Sequence, residues 1–252
     1  MRCGMCSTGL LSSPLVTASP EPSTSRVLDA HARLSLGASH HAIYRLVASA
    51  LAARDIAGRR FIDIGCGRGA LRPFVQNRFE EYVGVDGVRY DDFPDAVEFH
   101  ELDLDGEARL PASATGADVV AAVETIEHLE NPRALVRQLI RLARPGGWII
   151  LTTPNQRSAL SLLTLCVKGQ FSAFQDAEYP AHITALLDSD LRRIGAELGL
   201  TDAAIEYTER GRIPGTAWHY PRVLTSLLPR AMSDNLLYIA RTSRDVTGPA
   251  HR

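Results

Sequence analysis

Short apolar runs alternate along most of the chain with segments whose apolar residues recur at helical spacing. The runs predict strands at 61–64, 82–86, 97–100, 118–123, 148–152, 204–208 and 236–242. The helical spacing predicts helices at 39–54, 70–78, 132–143, 158–167 and 190–198. Asn131 and Ser189 are predicted to cap the helices that follow them. Strands that alternate with helices predict an α/β fold with a doubly wound, mostly parallel sheet.

Length and charge set the first limits on function. The 252 residues predict one domain, and 27 basic against 29 acidic side chains give a net charge of −2. That balance argues against general attraction to nucleic acid. Residues 1–26 are dominated by Ser, Thr and Pro and predict a flexible tail before a domain at 27–252. The chain has no run of about 20 apolar residues and only a broken apolar stretch near its start, so we expect a cytoplasmic location.

Four cysteines are too few for a disulfide scaffold in a chain of this length. Cys3 and Cys6 form a CxxC pair, but no second pair stands at ligand spacing. A structural zinc site needs four ligands. We therefore expect reduced thiols rather than a metal at this pair.

A glycine loop follows the first predicted strand and holds Gly65, Gly67 and Gly69. Read as far as Ala70, the loop also fits the permissive dinucleotide fingerprint, so a nicotinamide cofactor is one alternative. Asp63 lies just before the loop and favours the other alternative, because its carboxylate would repel a pyrophosphate and attract an ammonium group. S-adenosylmethionine carries such an ammonium, and the loop amides are expected to receive its carboxylate.

Further acidic residues follow the next two strands. Asp86 ends the second strand, 21 residues after Gly65, at the distance where a carboxylate accepts hydrogen bonds from ribose hydroxyls. Asp103 follows the third strand and is positioned for the adenine amino group, and Leu104 offers apolar cover to the ring. Since the carboxyl ends of parallel strands meet at one edge of a sheet, these residues predict one S-adenosylmethionine site.

These motifs resemble those of the class I S-adenosylmethionine-dependent methyltransferases. The resemblance spans residues 40–242 and rests on five motifs in order, at 61–69, 83–86, 103–104, 119–132 and 144–155. It implies a Rossmann-like, seven-stranded sheet with an antiparallel last strand at 236–242, and transfer of a methyl group to a nucleophile. The cofactor-binding residues that we expect on this basis are Asp63, Gly65, Cys66, Gly67, Gly69, Asp86, Asp103, Leu104 and Glu124.

The acceptor side of the expected site begins after the fourth strand. Glu127 and His128 follow that strand, and His182 comes 54 residues after His128; these three are the predicted catalytic residues. Their pattern resembles the small-molecule and sugar group that includes the ubiquinone-biosynthesis O-methyltransferases. It also resembles the small-RNA 2′-O-methyltransferases, in which two Glu and two His hold a divalent metal, here Glu124, Glu127, His128 and His182. We predict a metal-independent reaction in which a histidine orients or deprotonates a hydroxyl.

Two segments, at 157–182 and 211–235, lie where this family inserts elements that cover the acceptor. The segments are similar to ones in methyltransferases that resemble polysaccharide-pathway enzymes. This resemblance implies a small-molecule, sugar or lipid-linked glycan acceptor, with weak contact to a membrane surface and no preference for nucleic acid. The alternatives are an RNA 2′-O-methyltransferase and a non-catalytic S-adenosylmethionine-binding protein. The oligomeric state is left open.

Overall fold

The computed structural model describes residues 37–106, 110–111 and 114–244. Seven strands form one sheet: β1 (Gly58–Ile64), β2 (Phe79–Asp86), β3 (Glu98–Glu101), β4 (Ala117–Val123), β5 (Ala143–Pro154), β6 (Thr201–Tyr207) and β7 (Asn235–Arg241). Their order across the sheet is β3-β2-β1-β4-β5-β7-β6, and only β7 runs antiparallel to its neighbours. The predicted α/β class, parallel sheet and antiparallel last strand are confirmed.

Helices cover both faces of the sheet. They are α1 (His41–Ala53), α2 (Arg72–Val75), α3 (Pro132–Leu142), α4 (Ala159–Lys168), α5 (Asp188–Glu197) and α6 (Arg222–Leu227). One apolar layer packs α3 and α5 on the sheet through residues such as Leu139 and Ile194. The other layer packs α1 on the opposite face through Val47 and Leu51. This double winding buries the strands on both sides, which explains their nearly continuous apolar runs.

The helix predicted at 70–78 is shorter than expected. Only Arg72–Val75 are helical, and β2 begins at Phe79 rather than at residue 82. The ring of Phe79 packs 5.1 Å from that of Phe61 in the core, so burial of this aromatic pair draws the chain into the strand early.

The predicted cap of the helix at 190–198 is also wrong. The helix begins at Asp188 with Leu187 as its cap, and Ser189 lies within the first turn. Asp190 determines this start, because its Oδ2 accepts a hydrogen bond of 3.0 Å from the Leu187 amide. The Asn131 cap is confirmed, since its Oδ1 accepts from the Ala134 amide at 3.0 Å.

Two predictions fall outside the described residues: the tail at 1–26 and the Cys3/Cys6 pair. Among the residues that the structure describes, no helix is long and apolar enough to cross a membrane.

Candidate active site

The candidate site is a cleft of about 500 Å³ at the carboxyl ends of β1, β2 and β4. Ligands bind at this edge of an open α/β sheet, because the loops diverge there on either side of the point where the strand order reverses. Apart from Gly69, every residue that the sequence predicted for the cofactor or the chemistry lines this cleft: Asp63, Gly65, Cys66, Gly67, Asp86, Asp103, Leu104, Glu124, Glu127, His128 and His182.

The glycine loop has a backbone that only glycine adopts without strain. Gly65, Gly67 and Gly69 have φ values of +69°, +51° and +74°. A Cβ on Gly65 would lie 2.3 Å from the Thr125 hydroxyl, and one on Gly67 would lie 2.2 Å from the Gly37 carbonyl oxygen. The loop is therefore held tightly between the turn after β4 and the segment before α1. Gly69 does not line the cleft, but its positive φ is part of the same turn.

Asp63 is buried at the floor of the cleft, with 2% of its surface exposed. Its Oδ2 accepts a short hydrogen bond from the Tyr82 hydroxyl, while its Oδ1 has no partner among the described residues. Burial raises the pKa of Asp63 to about 7; the Tyr82 hydrogen bond opposes this rise and the charge of Asp86 adds to it. A buried, unpaired carboxylate oxygen beside a cleft fits an ammonium group as its partner.

Asp86 and Asp103 lie along the same wall of the cleft. Asp86 accepts from the Gly67 amide at 2.8 Å and from the Gly87 amide at 2.7 Å, which fixes its carboxylate beside the glycine loop. Burial raises the pKa of Asp86, and these amide hydrogen bonds oppose the rise. Asp103 accepts from the Asp105 amide at 3.1 Å. The two carboxylates are thus held at the ends of β2 and β3, as predicted.

The loop amides are not available for a carboxylate, contrary to expectation. Gly65 and Cys66 both donate to the Val85 carbonyl, and Gly67 donates to Asp86. The amides of Arg68 and Gly69 donate to the Gly37 and Cys66 carbonyls. The helix that follows has only four residues, so its dipole adds little.

His40 is a donor that the sequence reading missed. Its Nδ1 accepts a hydrogen bond of 3.0 Å from the Ala42 amide, so the neutral ring carries its proton on Nε2. Burial, followed by the charge of Arg210, lowers the pKa of His40. The ring lines the cleft beside Ser39 and Tyr44, and its Nε2–H has no partner among the described residues.

Glu124 is held rigidly at the end of β4. It has a left-handed backbone with φ of +51°, which is uncommon outside glycine. Its Oε1 accepts from the Thr152 hydroxyl at 2.8 Å and its Oε2 accepts from the Asn235 amide at 2.7 Å. Burial raises the pKa of Glu124 to about 7, although both hydrogen bonds favour the charged form. Because β7 is antiparallel, Asn235 at its start reaches this edge of the sheet.

Two histidines meet on the acceptor side of the cleft. The His128 Nδ1 lies 2.7 Å from the Ala181 carbonyl oxygen, and the His182 Nδ1 lies 2.6 Å from that of Ala173. A carbonyl only accepts, so both Nδ1 atoms must carry hydrogen and each neutral ring has its lone pair on Nε2. The ring centroids are 4.8 Å apart with an edge-on geometry.

Glu127 lies beside the histidines and is fully buried. Neither of its carboxylate oxygens has a hydrogen-bond partner among the described residues. Burial and the nearby charge of Glu124 raise the pKa of Glu127 well above its usual range. Ligand atoms of Glu127, His128 and His182 all lie within 4.8 Å of one another, so these three could hold a metal ion. Glu124 does not belong to this group, because Thr152 and Asn235 hold its carboxylate.

The family comparison agrees with this geometry. A family model described as "Methyltransferase domain" matches residues 38–205, which is more than half of the chain. The chain belongs to the class I methyltransferase family. The predicted cofactor, S-adenosylmethionine, and the predicted reaction class, methyl transfer, are thereby confirmed.

Curated relatives of this methyltransferase have low identity to it. The "Ubiquinone biosynthesis O-methyltransferase" of Paracidovorax citrulli is 28% identical over 121 residues, covering 44% of this chain and 50% of that protein. The protein of the same name from Aeromonas salmonicida is 27% identical over 150 residues, covering 57% and 63%. The chain thus spans half to three-fifths of these relatives. A S-adenosylmethionine-dependent methyltransferase from Archaeoglobus fulgidus shares the fold, with a TM-score of 0.54 at 21% identity, covering 79% of this chain and 94% of that one.

Several residues of the methyltransferase cleft carried no sequence signal. Tyr82 contacts Asp63 and Asn235 contacts Glu124, yet both lie in apolar strands that resemble core segments in the sequence. The position of Gly84 shows how Tyr82 reaches Asp63. Gly84 is paired with Asp63 across β1 and β2, and Tyr82 comes two residues earlier on the same face of the sheet.

Proposed function

We propose that this methyltransferase transfers a methyl group to a hydroxyl oxygen of a small-molecule, sugar or lipid-linked glycan acceptor. The observation that carries the proposal is the pair His128 and His182, whose Nδ1 atoms are anchored to carbonyl oxygens and whose rings line the cleft. The curated relatives are named as O-methyltransferases, which supports an oxygen acceptor.

The cofactor fits the residues that line the cleft. When bound, S-adenosylmethionine supplies a methyl group on a positively charged sulfonium, which is a strong electrophile. We assign its ammonium to the unpaired Oδ1 of Asp63 and its ribose hydroxyls to Asp86. We assign the adenine amino group to Asp103 and the face of the adenine ring to Leu104. His40 takes the carboxylate through its Nε2–H, in place of the occupied loop amides.

The remaining residues position and activate the acceptor. Holding the acceptor oxygen in line with the methyl group can lower the barrier by roughly 7–11 kcal/mol. His128 or His182 would orient the acceptor hydroxyl or accept its proton, a contribution of about 10²- to 10⁴-fold. Glu124, held by Thr152 and Asn235, presents a fixed carboxylate to the cofactor side of the cleft. Glu127, whose pKa is raised by burial and by the charge of Glu124, forms the wall beside the histidines.

A second candidate is the same transfer assisted by a divalent metal. It is favoured by the two orphaned oxygens of Glu127 and by the short distances among Glu127, His128 and His182. One carboxylate and two imidazoles suit Mn²⁺ or Zn²⁺, whereas Mg²⁺ prefers more oxygen ligands. This site would polarise the acceptor oxygen and replace the histidine base.

Turnover with and without a chelator separates the two candidates. The acceptor is first identified by metabolite profiling with methyl-labelled S-adenosylmethionine, in which a strain that produces the protein is compared with a strain from which its gene is deleted. Wild type, His128→Ala and His182→Ala are then assayed, with His100→Ala as the matched control because His100 pairs with Glu98 on β3 and does not line the cleft. We expect chelator-insensitive turnover that falls by about 10²-fold or more in at least one cleft variant. Chelator-abolished turnover restored by Mn²⁺ would establish the metal instead, and full activity in both cleft variants would remove histidine from the mechanism.

A further inference from the structure

Helices α4 and α6 have the opposite polarity to a core helix. In α4 the one fully buried residue is Ser161, while Leu162, Leu163 and Val167 are exposed. In α6 the one buried residue is Thr225, while the exposed residues are Val223, Leu224 and Leu227, the first and last at 71%. Apolar residues of a surface helix normally face the core. Both helices therefore present a face that suits an apolar environment outside this domain.

Each of these buried hydroxyls forms a hydrogen bond within or next to its own helix. The Ser161 hydroxyl accepts from the Ser172 amide at 3.2 Å and donates to Gln156 at 3.2 Å. The Thr225 hydroxyl donates to the Arg222 carbonyl at 2.9 Å. Both helices thus have a hydroxyl residue on the buried side and leucines on the exposed side, an arrangement that burial within this domain does not explain.

The two apolar faces belong to one surface. The Ala159 amide at the start of α4 donates to the Ala231 carbonyl at 2.7 Å, just after α6. Leu162 and Leu163 lie only about 5–6 Å along the α4 axis from that contact at 1.5 Å per residue, and Leu228 is three residues before it. All ten strongly exposed large apolar side chains of the described residues fall between 162 and 228. Patches of this kind mark a contact with a membrane or a partner.

The charge around the exposed apolar residues of α4 and α6 indicates what kind of partner they contact. Residues 210–233 contain four arginines and no acidic residue, although the whole chain has a net charge of −2. Arg222 begins α6 and Arg230 follows it, and neither forms an ion pair among the described residues, whereas Arg212 is paired with Asp234 at 3.5 Å. Trp218, 76% exposed, lies in the same segment. Leucines beside arginines and an exposed tryptophan are the composition of helices that lie in the interface of an anionic bilayer.

We propose that α4, α6 and the segment at 210–233 dock this methyltransferase on the surface of a membrane that contains anionic lipids. The loop after α4 returns to the cleft through His182, so the docked face lies next to the acceptor side. Docking does not depend on which atom receives the methyl group, and it is measured without turnover.

Vesicle flotation of the full chain tests the proposal. We expect at least tenfold more protein bound to phosphatidylcholine vesicles containing one-third phosphatidylglycerol than to phosphatidylcholine alone, with loss of binding at high salt. Leu224→Asp/Leu227→Asp should bind at least tenfold less, and Arg222→Ala/Arg230→Ala should lose the preference for the anionic lipid. The matched control Arg137→Ala/Arg141→Ala, on α3, should bind as wild type. S-adenosylhomocysteine binding in each variant reports that the fold is intact.

Tryptophan emission gives an independent readout. The blue shift on adding anionic vesicles should vanish in Trp218→Phe and persist in Trp148→Phe. Absence of binding to both vesicle types would overturn the proposal, as would equal binding by the Leu224→Asp/Leu227→Asp variant. A wild-type dimer that this variant converts to a monomer, without lipid binding, would show that the face is an interface between two copies of the chain and would also overturn it.

Discussion

Replacing Asp63 by Asn should make the protein more stable and a poorer binder of its cofactor. Burial raises the pKa of this carboxyl from 3.8 to about 7, so near pH 8 the empty protein holds a buried charge whose Oδ1 has no partner among the described residues. At 1.36 kcal/mol per pH unit, the rise corresponds to about 4 kcal/mol of destabilisation. An asparagine carries no charge and can still accept the Tyr82 hydrogen bond.

The sign of the effect depends on pH. Between pH 3.8 and about 7 the folded state holds the proton and the unfolded state does not, so the contribution of Asp63 to wild-type stability falls as pH rises through this range and is constant above it. The Asp63→Asn variant does not lose stability in this way as pH rises. We expect it to match wild type near pH 4 and to exceed it at pH 8, by up to about 4 kcal/mol and roughly 2–4 °C per kcal/mol in Tm.

Cofactor affinity should move in the opposite direction. Loss of a charged acceptor for the ammonium costs about 1.5–3 kcal/mol, which is roughly a 10- to 150-fold weaker Kd for S-adenosylhomocysteine. Thermal melts at pH 4 and 8 and calorimetry at pH 8 measure the two effects. The control is Asp118→Asn: Asp118 is paired with Arg144 at the opposite end of β4, so its loss should lower stability and leave affinity unchanged. An Asp63→Asn protein that is less stable at pH 8, or that binds as tightly as wild type, would refute the reasoning.

Three further outcomes are expected. Asp86→Ala should fold normally and bind S-adenosylhomocysteine about 1.5–3 kcal/mol more weakly by calorimetry, and an unchanged Kd would remove Asp86 from the site. Gly67→Ala should lose cofactor binding and lower Tm, because its Cβ would lie 2.2 Å from the Gly37 carbonyl oxygen at a φ of +51°; wild-type binding would mean that the loop can shift. A chain that starts at Arg26 should remain soluble and keep cofactor affinity, because the Ser-, Thr- and Pro-rich composition of residues 1–26 offers little apolar area for a core.

The parts of the fold that sequence could predict are those with local causes. Branched apolar runs bounded by glycines predict β1, β4 and β5, and an Asn-Pro pair predicts the start of α3, because these signals act within a few residues. The early start of β2 depends on the tilted packing of the Phe79 ring against that of Phe61, which lies 18 residues away in sequence. Local periodicity contains no information on such a contact.

The candidate site also has a part that the sequence predicts and a part that depends on contacts between distant segments. Asp63, Asp86 and Glu124 follow strands, and the rule that parallel strands end at one edge brings them together. Their partners Tyr82 and Asn235 come from core positions, and only the register of β2 with β1 and the reversed direction of β7 bring them to the carboxylates. The occupied amides of the glycine loop were equally hidden, because a Val85 carbonyl and an Asp86 side chain compete for them only in three dimensions.

The central claim is that Asp63, Asp86, Asp103 and the glycine loop form an S-adenosylmethionine site. Titration of the full chain with S-adenosylhomocysteine in a calorimeter tests it most directly, with NAD as the comparison ligand. We predict one site with micromolar-scale affinity, about −8 kcal/mol, and no measurable heat with NAD. Tight NAD binding without any response to S-adenosylhomocysteine would contradict the account.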